Sequence, residues 1–477
     1  MKKFLQLSLV ASMALGSVST STVVGQSMAS DVSSTLERGG ASFEVWANQR
    51  SNALSSDVLY TFQQGGFLSR EFLQTMLEDH PLLGGMGGQV GWSNRFSTRP
   101  LGRGPWALTG SFGSEVLVSA LWRRELVELA FVGNAGHTGR IDVFNGTGMR
   151  VGAFNRLSLG MEHKDTRQRL EISLVQRLAG VEWGIPNGSF WVSEGADSME
   201  VNMQAYGLAS LDQFPDTNGF MMSQLIPSYG VGISGSLPLT SELFPLQFLV
   251  DFQDVGVMWE RGGGVIAAVD TGFATTGLAV PFSQYFSEGA VTEEGLTWQD
   301  VVDGTTGIAP DSLYLLSDSA AGRVLMLPTK IQGQLTWWPS PDVQIRAQAS
   351  AGAWMPQPQF TFGVGWIPTQ RVAFGVDYRT GGWGRGRPVT WLDVRVTKKR
   401  IVSIEIDDPL GWMWGTESAT HTYGRGVRVS LRRLPGSGWT RFMGLPRKDL
   451  KRHASDKGIF GVPVVSVPQH STSSFSP

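Results

Sequence analysis

No cysteine occurs among the 477 residues, which excludes disulfides, thiol nucleophiles, cysteine-type zinc sites and a cysteine-anchored lipid. Charge is also scarce, at 17% of residues against roughly 25% in ordinary soluble domains. The formal net charge of -2 leaves no dominant basic face, so nucleic acid is not an expected partner. Apolar runs of the about 18 residues that a membrane helix needs are missing as well. The longest candidate, Phe4 to Leu15, is broken by Gln6, Ser8 and Ser12 and follows Lys2 and Lys3, the pattern of a cleaved export signal. The small residues Val23 and Gly25 put the expected cleavage before Gln26, giving a signal peptide over residues 1–25.

What the chain does have is glycine, 60 residues of it, and a two-residue rhythm. Ile331, Gly333, Leu335 and Trp337 alternate with Lys330, Gln332, Gln334 and Thr336; Val343, Ile345 and Ala347 alternate with Gln344, Arg346 and Gln348. Phe360, Phe362, Val364 and Trp366 then alternate with Thr361, Gly363 and Gly365, and the pattern runs on through Val427, Val429 and Leu431. In a strand, successive side chains point to opposite faces, so one face of each segment is apolar and the other polar or tiny. An exported chain with two-faced strands and no spanning helix belongs in a bacterial outer membrane, in contact with its lipid.

Turn lengths give the strands a direction. Compact connections fall at Glu162–Arg169, Pro238–Pro245, Trp338–Asp342, Ile367–Gln370 and Thr397–Arg400, with an even number of strand candidates between successive ones. Long connections fall at Ala209–Leu225, Arg261–Leu325, Gly381–Pro388 and Asp407–Gly426. Outer-membrane barrels keep short turns on the periplasmic side, so the last strand should leave the C-terminus in the periplasm. Interfacial belts are expected where aromatic residues gather, with Trp337, Trp338 and Trp366 beside compact turns and Trp259, Trp354, Tyr378 and Trp383 near the opposite ends. A soluble sandwich with an aromatic core is the competing fold, but it has no need of alternating turn lengths.

The expected fold is therefore all-β: a transmembrane antiparallel β-barrel of about 14 to 16 strands over residues 87–434. The alternation slips near Gln253 and Asp254, which suggests a bulge. Ser69–Glu78 and Ala120–Phe131 have helical spacing, the first with Ser69 as N-cap. Residues 26–86 should then form an N-terminal element, either a luminal plug or a periplasmic cap. Residues 261–325 read as a long acidic loop carrying Glu288, Glu293, Glu294, Asp300, Asp303 and Asp311. Residues 435–477 read as a basic periplasmic tail with Arg441, Arg447, Lys448, Lys451, Arg452 and Lys457.

Three stretches resemble a family of uncharacterised Bacteroidota outer-membrane proteins: Glu125–Gly139, Asn218–Trp259 and the Leu327-Pro328-Thr329-Lys330-Ile331 restart after the long insertion. The likeness spans roughly residues 40 to 400. It implies a barrel distantly similar to fatty-acid-transporter-type barrels and to those associated with type IX secretion and gliding. The family carries no established reaction, so the resemblance implies place and fold only.

The candidate luminal residues are Arg156, Lys330, Arg346, Asp377, Arg379, Asp393, Arg395, Glu405, Arg428 and Arg432. Their mixed sign fits a pore lining that selects small polar or anionic solutes. It fits better a polar core of mutually neutralising pairs. The six histidines are scattered between the two membrane sides, with no metal-ligand spacing and no nucleophile nearby, so neither catalysis, a metal nor a cofactor is expected. Two functional expectations remain. One is a scaffold or anchor for surface or secretion machinery with periplasmic or surface protein partners; the other is a porin-like or hydrophobic-solute transport barrel.

Overall fold

The structure is a computed structural model. It describes residues 40–56, 58, 70–101, 104–164, 166–210, 228–240, 246–260, 265–276, 315–317, 322–340, 342–369, 371–397, 400–409 and 423–433. The signal segment 1–25 and the basic tail 435–477 lie outside these residues.

In chain order the strands are β1 (Gly40–Ser51), β2 (Leu83–Pro100), β3 (Trp106–Arg123), β4 (Ile141–Val143), β5 (Thr147–His163) and β6 (Arg169–Val192). There follow β7 (Ser198–Ala209), β8 (Ser228–Thr240), β9 (Leu246–Glu260), β10 (Val265–Thr276), β11 (Leu315–Ser317), β12 (Arg323–Met326) and β13 (Lys330–Ser340). The last are β14 (Val343–Gly352), β15 (Gln359–Thr369), β16 (Val372–Gly381), β17 (Gly384–Thr397), β18 (Arg400–Asp407) and β19 (Gly424–Arg433). Two helices, α1 (Arg70–Glu78) and α2 (Arg124–Val132), sit in connections at one rim.

Fourteen of these strands close an antiparallel barrel. Going round the wall, β1 pairs with β2, β2 with β3, β3 with β5, β5 with β6, β6 with β8, β8 with β9 and β9 with β13; consecutive pairing then runs to β19. The seam shuts where Ala41 to Arg50 of β1 align with Arg433 to Gly424 of β19. One rim carries compact turns such as 101–105 and 164–168; the other, the loop rim, carries the helices and longer connections. The outward faces are apolar and bare: Leu174 is 56% exposed and Trp366 51%. Soluble monomers do not expose a continuous apolar band of this kind, so the outer face is suited to lipid.

Several expectations are corrected here. Residues 40–51, assigned to a plug or cap, are wall strand β1, whose Phe43 and Val45 face outward while Ser42, Glu44, Trp46, Asn48 and Arg50 face the lumen. The barrel thus begins at Gly40, and α1 lies at the loop rim, because β1 ends and β2 begins there. Ala120 to Arg123 belong to β3, and helix begins only at Arg124. Gly381 and Gly382, at φ 81° and 70°, turn the chain at once into β17, so 381–388 is a tight hairpin, not a long loop. The stretch 261–325 contains β10, β11 and the start of β12; the acidic residues named for it lie outside the described residues.

The upper half of β6 leaves the barrel. Arg169–Arg177 pairs with β8, but Val181–Val192 pairs with β7, and β7 pairs in turn with β10. These strands form a blade at the loop rim. Its inner face packs Phe144, Ile185, Phe190 and Val192 with Met199, Val201 and Met203 and with Leu126 and Leu129 of α2. Its outer face carries the exposed Glu200, Asn202 and Gln204, polar as a water-facing surface should be.

Candidate functional site

Inward side chains meet in ionic knots. Arg50 donates to Asp407 (2.5 Å) and to Gln359 Oε1 (2.9 Å); Arg379 bridges Asp407 (2.8 Å) and Glu405 (3.1 Å). Arg346 grips Asp377 with both Nε (3.0 Å) and Nη2 (2.5 Å) while its guanidinium lies over the Trp391 ring at 4.6 Å. On the other side, Arg156 joins Glu115 and Asp254, each at 2.5 Å. Asp254 sits at φ 52° where β9 shifts register, beside the position of the expected bulge, and Ser234 donates to it. Burial in low dielectric makes each charge costly unless it is paired, which explains why these residues come as knots.

Arg156, Lys330, Arg346, Asp377, Arg379, Arg395, Glu405, Arg428 and Arg432 all stand on the luminal face of their strands. Arg428 pairs with Glu44; Arg432 contacts Ser403 and lies 3.5 Å from Asp393. Arg395 sits near the turn rim, donating to Thr397 O at 3.1 Å. The sequence reading missed Glu44, Arg50, Arg95, Glu115, Arg177, Asp254, Glu260 and Asp407. Those on β1 were visible as an alternation, Phe43/Val45 against Ser42/Glu44, that the plug assignment masked.

The aromatic residues divide. Trp259, Trp337, Trp366 and Tyr378 are exposed on the outer face. Trp338, Trp354 and Trp383 are not, which corrects the belt assignment. Trp338 is 6% exposed because its position continues the inward register Gln332, Gln334, Thr336. Trp383, 4% exposed, turns in over Gly87 and donates from Nε1 to Ser119 Oγ (3.2 Å). Trp354 enters from the β14–β15 loop, edge-on to Phe154 at 5.7 Å and beneath the Arg150 guanidinium at 4.8 Å. It packs there against a buried cluster of Leu117, Phe154, Val175, Met258 and Leu327. Leu327 lies where the β12–β13 strand bends inward, in the space left by Gly230 and Gly232.

Between the Arg50 and Arg156 knots the lumen opens into a chamber of about 140 Å³. Its walls include Glu44, Trp46, Gln89, Arg95, Glu115, Lys330, Trp354, Trp383 and Arg428, drawn from strands on several sides of the barrel and from two loop-rim turns. A further knot closes the fork in β6: Glu260 accepts from Arg177 (2.9 Å), Arg323 and Ser210 (2.5 Å), and Arg323 lies 3.5 Å from Glu182.

His80 serves local structure. His80 accepts from Trp122 Nε1 (2.8 Å) at Nε2 and donates from Nδ1 to Pro81 O (2.6 Å). Its burial, with Arg124 and Arg385 nearby, lowers its pKa from the ordinary histidine value, against the opposing effect of the Pro81 hydrogen bond. Among the described residues no three His, Asp or Glu side chains gather as a metal site.

No protein-family model matches the chain. No curated protein matches it either. Among solved structures, it is similar to the toluene transporter TbuX of Ralstonia pickettii (8% identity, 87% of this chain and 95% of that one, TM-score 0.35). It is similar also to a Pseudomonas aeruginosa FadL homologue (10%, 85% and 91%, TM-score 0.35) and to the translocator domain of the autotransporter NalP from Neisseria meningitidis (8%, 91% and 96%, TM-score 0.26). Likeness this low assigns no cargo, and the fold rests on the strand pairings themselves.

Proposed function

We propose that the protein is a transport barrel of the bacterial outer membrane, here in a closed state, that admits small solutes from the loop rim into its lumen. One observation carries this reading. A barrel serving only as an anchor gains nothing from a hollow centre, yet here the lumen keeps a chamber of about 140 Å³ between two ionic knots. The closure is made of parts that can move. Trp354 and Trp383 hang from loop-rim turns, and each is held by few polar contacts, whereas the knots tie strand to strand. Movement of loop residues on a rigid scaffold is the usual way that access to a buried site is controlled.

The scaffold expectation leaned on a filled-looking lumen and on the basic tail; the tail lies outside the described residues, and the ionic knots leave a chamber between them. No chemical step is assigned to the barrel. Recording from planar bilayers tests the proposal: purified protein should give brief, solute-sensitive openings, and Trp354→Ala should lengthen them. A silent membrane with both proteins would remove the transport reading.

A further inference from the structure

The chamber's polar groups are unbalanced, and the imbalance names a ligand. Of its charged lining residues, Glu44 is taken by Arg428, Glu115 by Arg156, and Arg50 by Asp407. Lys330 and Arg95 are left. Among the described residues neither makes a salt bridge, and both line the chamber. The charges that reach Arg95 are Arg169, Glu171, Asp251 and Glu162; those that reach Lys330 are Arg50, Arg379, Glu115 and Asp251. Asp251, shared by both, is bound by Ser236 and stays beyond ion-pair range of either.

The orphaned donor atoms lean the same way. The Nε1–H of Trp46, the Nε2 amide of Gln89 and the Nε–H of Arg95 are buried donors without an acceptor among the described residues. Among the described residues the one buried side-chain acceptor on the wall without a hydrogen bond, Glu44 Oε1, belongs to a carboxylate already paired with Arg428. Buried donors facing a common space are satisfied by a ligand that only accepts, and charge-assisted bonds to an anion are the strongest available. The wall also carries the rings of Trp46, Trp354 and Trp383. The space is also of the right size, since a cavity of about 150 Å³ holds a benzene ring.

We infer that the chamber is a binding site for a small carboxylate bearing one ring, with the carboxylate between Lys330 and Arg95 and the ring among Trp46, Trp354 and Trp383. The inference deepens the transport reading and rests on it for its biological sense, since a bound solute in mid-lumen is then a solute in transit. The site itself stands on the chamber's donors alone. Pairing the anion with two desolvated cations makes the sign of the ligand's charge decisive.

Calorimetric titration of the full chain in detergent micelles tests it with three probes of one ring size: benzoate, benzyl alcohol and benzylammonium. Benzoate should bind at least tenfold more tightly than either of the others. Lys330→Gln should weaken benzoate at least tenfold, and Lys330→Arg should restore most of the affinity. Equal binding of benzoate and benzylammonium to the unaltered protein overturns the assignment, even if Lys330→Gln fails to fold. Unchanged benzoate affinity in a folded Lys330→Gln overturns it too. Because binding is read in micelles and flux in bilayers, channel activity without benzoate binding defeats only this inference, and binding without channel activity defeats only the transport reading.

Discussion

Arg50 and Asp407 lie 357 residues apart in the chain and meet at 2.5 Å on the luminal wall. The strand between them, β19, makes the contact possible by carrying Gly424 opposite Arg50 and Gly426 opposite Asp407. A Cβ at Gly426 would stand 2.7 Å from Asn48 Cβ and 3.2 Å from Asp407 Oδ2, inside the space the pair uses. The closing seam of the barrel is thus locked over two residues that have no side chain.

Removing one partner should cost far more than removing both. Asp407→Asn leaves Arg50, Arg379 and Arg387 around a neutral amide, and loss of one member of a buried ion pair costs about 3–5 kcal/mol. Urea titration of the refolded barrel should show that loss. Arg50→Met combined with Asp407→Leu should recover a substantial part of it; a double variant as unstable as the single one would contradict the account.

The outer band makes a second prediction. Leu174 on β6 faces outward and its neighbours Ser173 and Val175 face the lumen. Leu174→Arg should destabilise the barrel in lipid by about 2–4 kcal/mol if the site is near mid-bilayer. In a detergent that wraps the band loosely the penalty should shrink. Equal cost in both media would argue against lipid at this face.

The Trp383 closure depends on Gly87. A Cβ there would sit 2.2 Å from the indole ring, so Gly87→Val must push Trp383 out of the lumen. Solute flux into proteoliposomes should rise several-fold, with the same change in Trp383→Ala. Unaltered flux in both variants would show that this indole does not obstruct the path.

At the loop rim, His80 supplies a pH dependence. Its folded pKa is lowered by burial, so as pH falls the unfolded or opened loop takes up a proton first. The stabilising contact with Trp122 is therefore complete above about pH 6.5, the ordinary histidine value, and is lost progressively below it. Imidazole Cε1 exchange followed by mass spectrometry should give His80 a midpoint under 6.5; a midpoint at or above that value would contradict the lowering by burial.

The wall was legible because strand alternation is a local property. Phe360, Phe362, Val364 and Trp366 declare their outward side by type alone, and Thr361 and Gly363 their inward side. Closure was not legible, since the pairing of β1 with β19 joins residues almost the whole chain apart, and the Phe43/Val45 rhythm is too short to outweigh the helix that follows it. The luminal cations were found on the late strands, where alternation is clean. Their partners Glu115, Asp254 and Glu44 lie on early strands or beside a register shift, where phase is lost. Trp354 and Trp383 were misplaced for another reason. An indole at a strand end can face lipid or fold inward, and which it does depends on the space left by Gly152 and Gly87 across the lumen.

In the proposed transport, solute passes through the chamber. The absence of native cysteine permits a direct measurement. Ser93, on the chamber wall, is replaced in Ser93→Cys, and uptake of a small solute into proteoliposomes is followed before and after a bulky, charged, membrane-impermeant thiol reagent is added at the loop-rim side. The reagent should couple and uptake should then fall to the level of protein-free liposomes, while the cysteine-free protein is unaffected. Stoichiometric coupling with uptake unchanged would contradict this route.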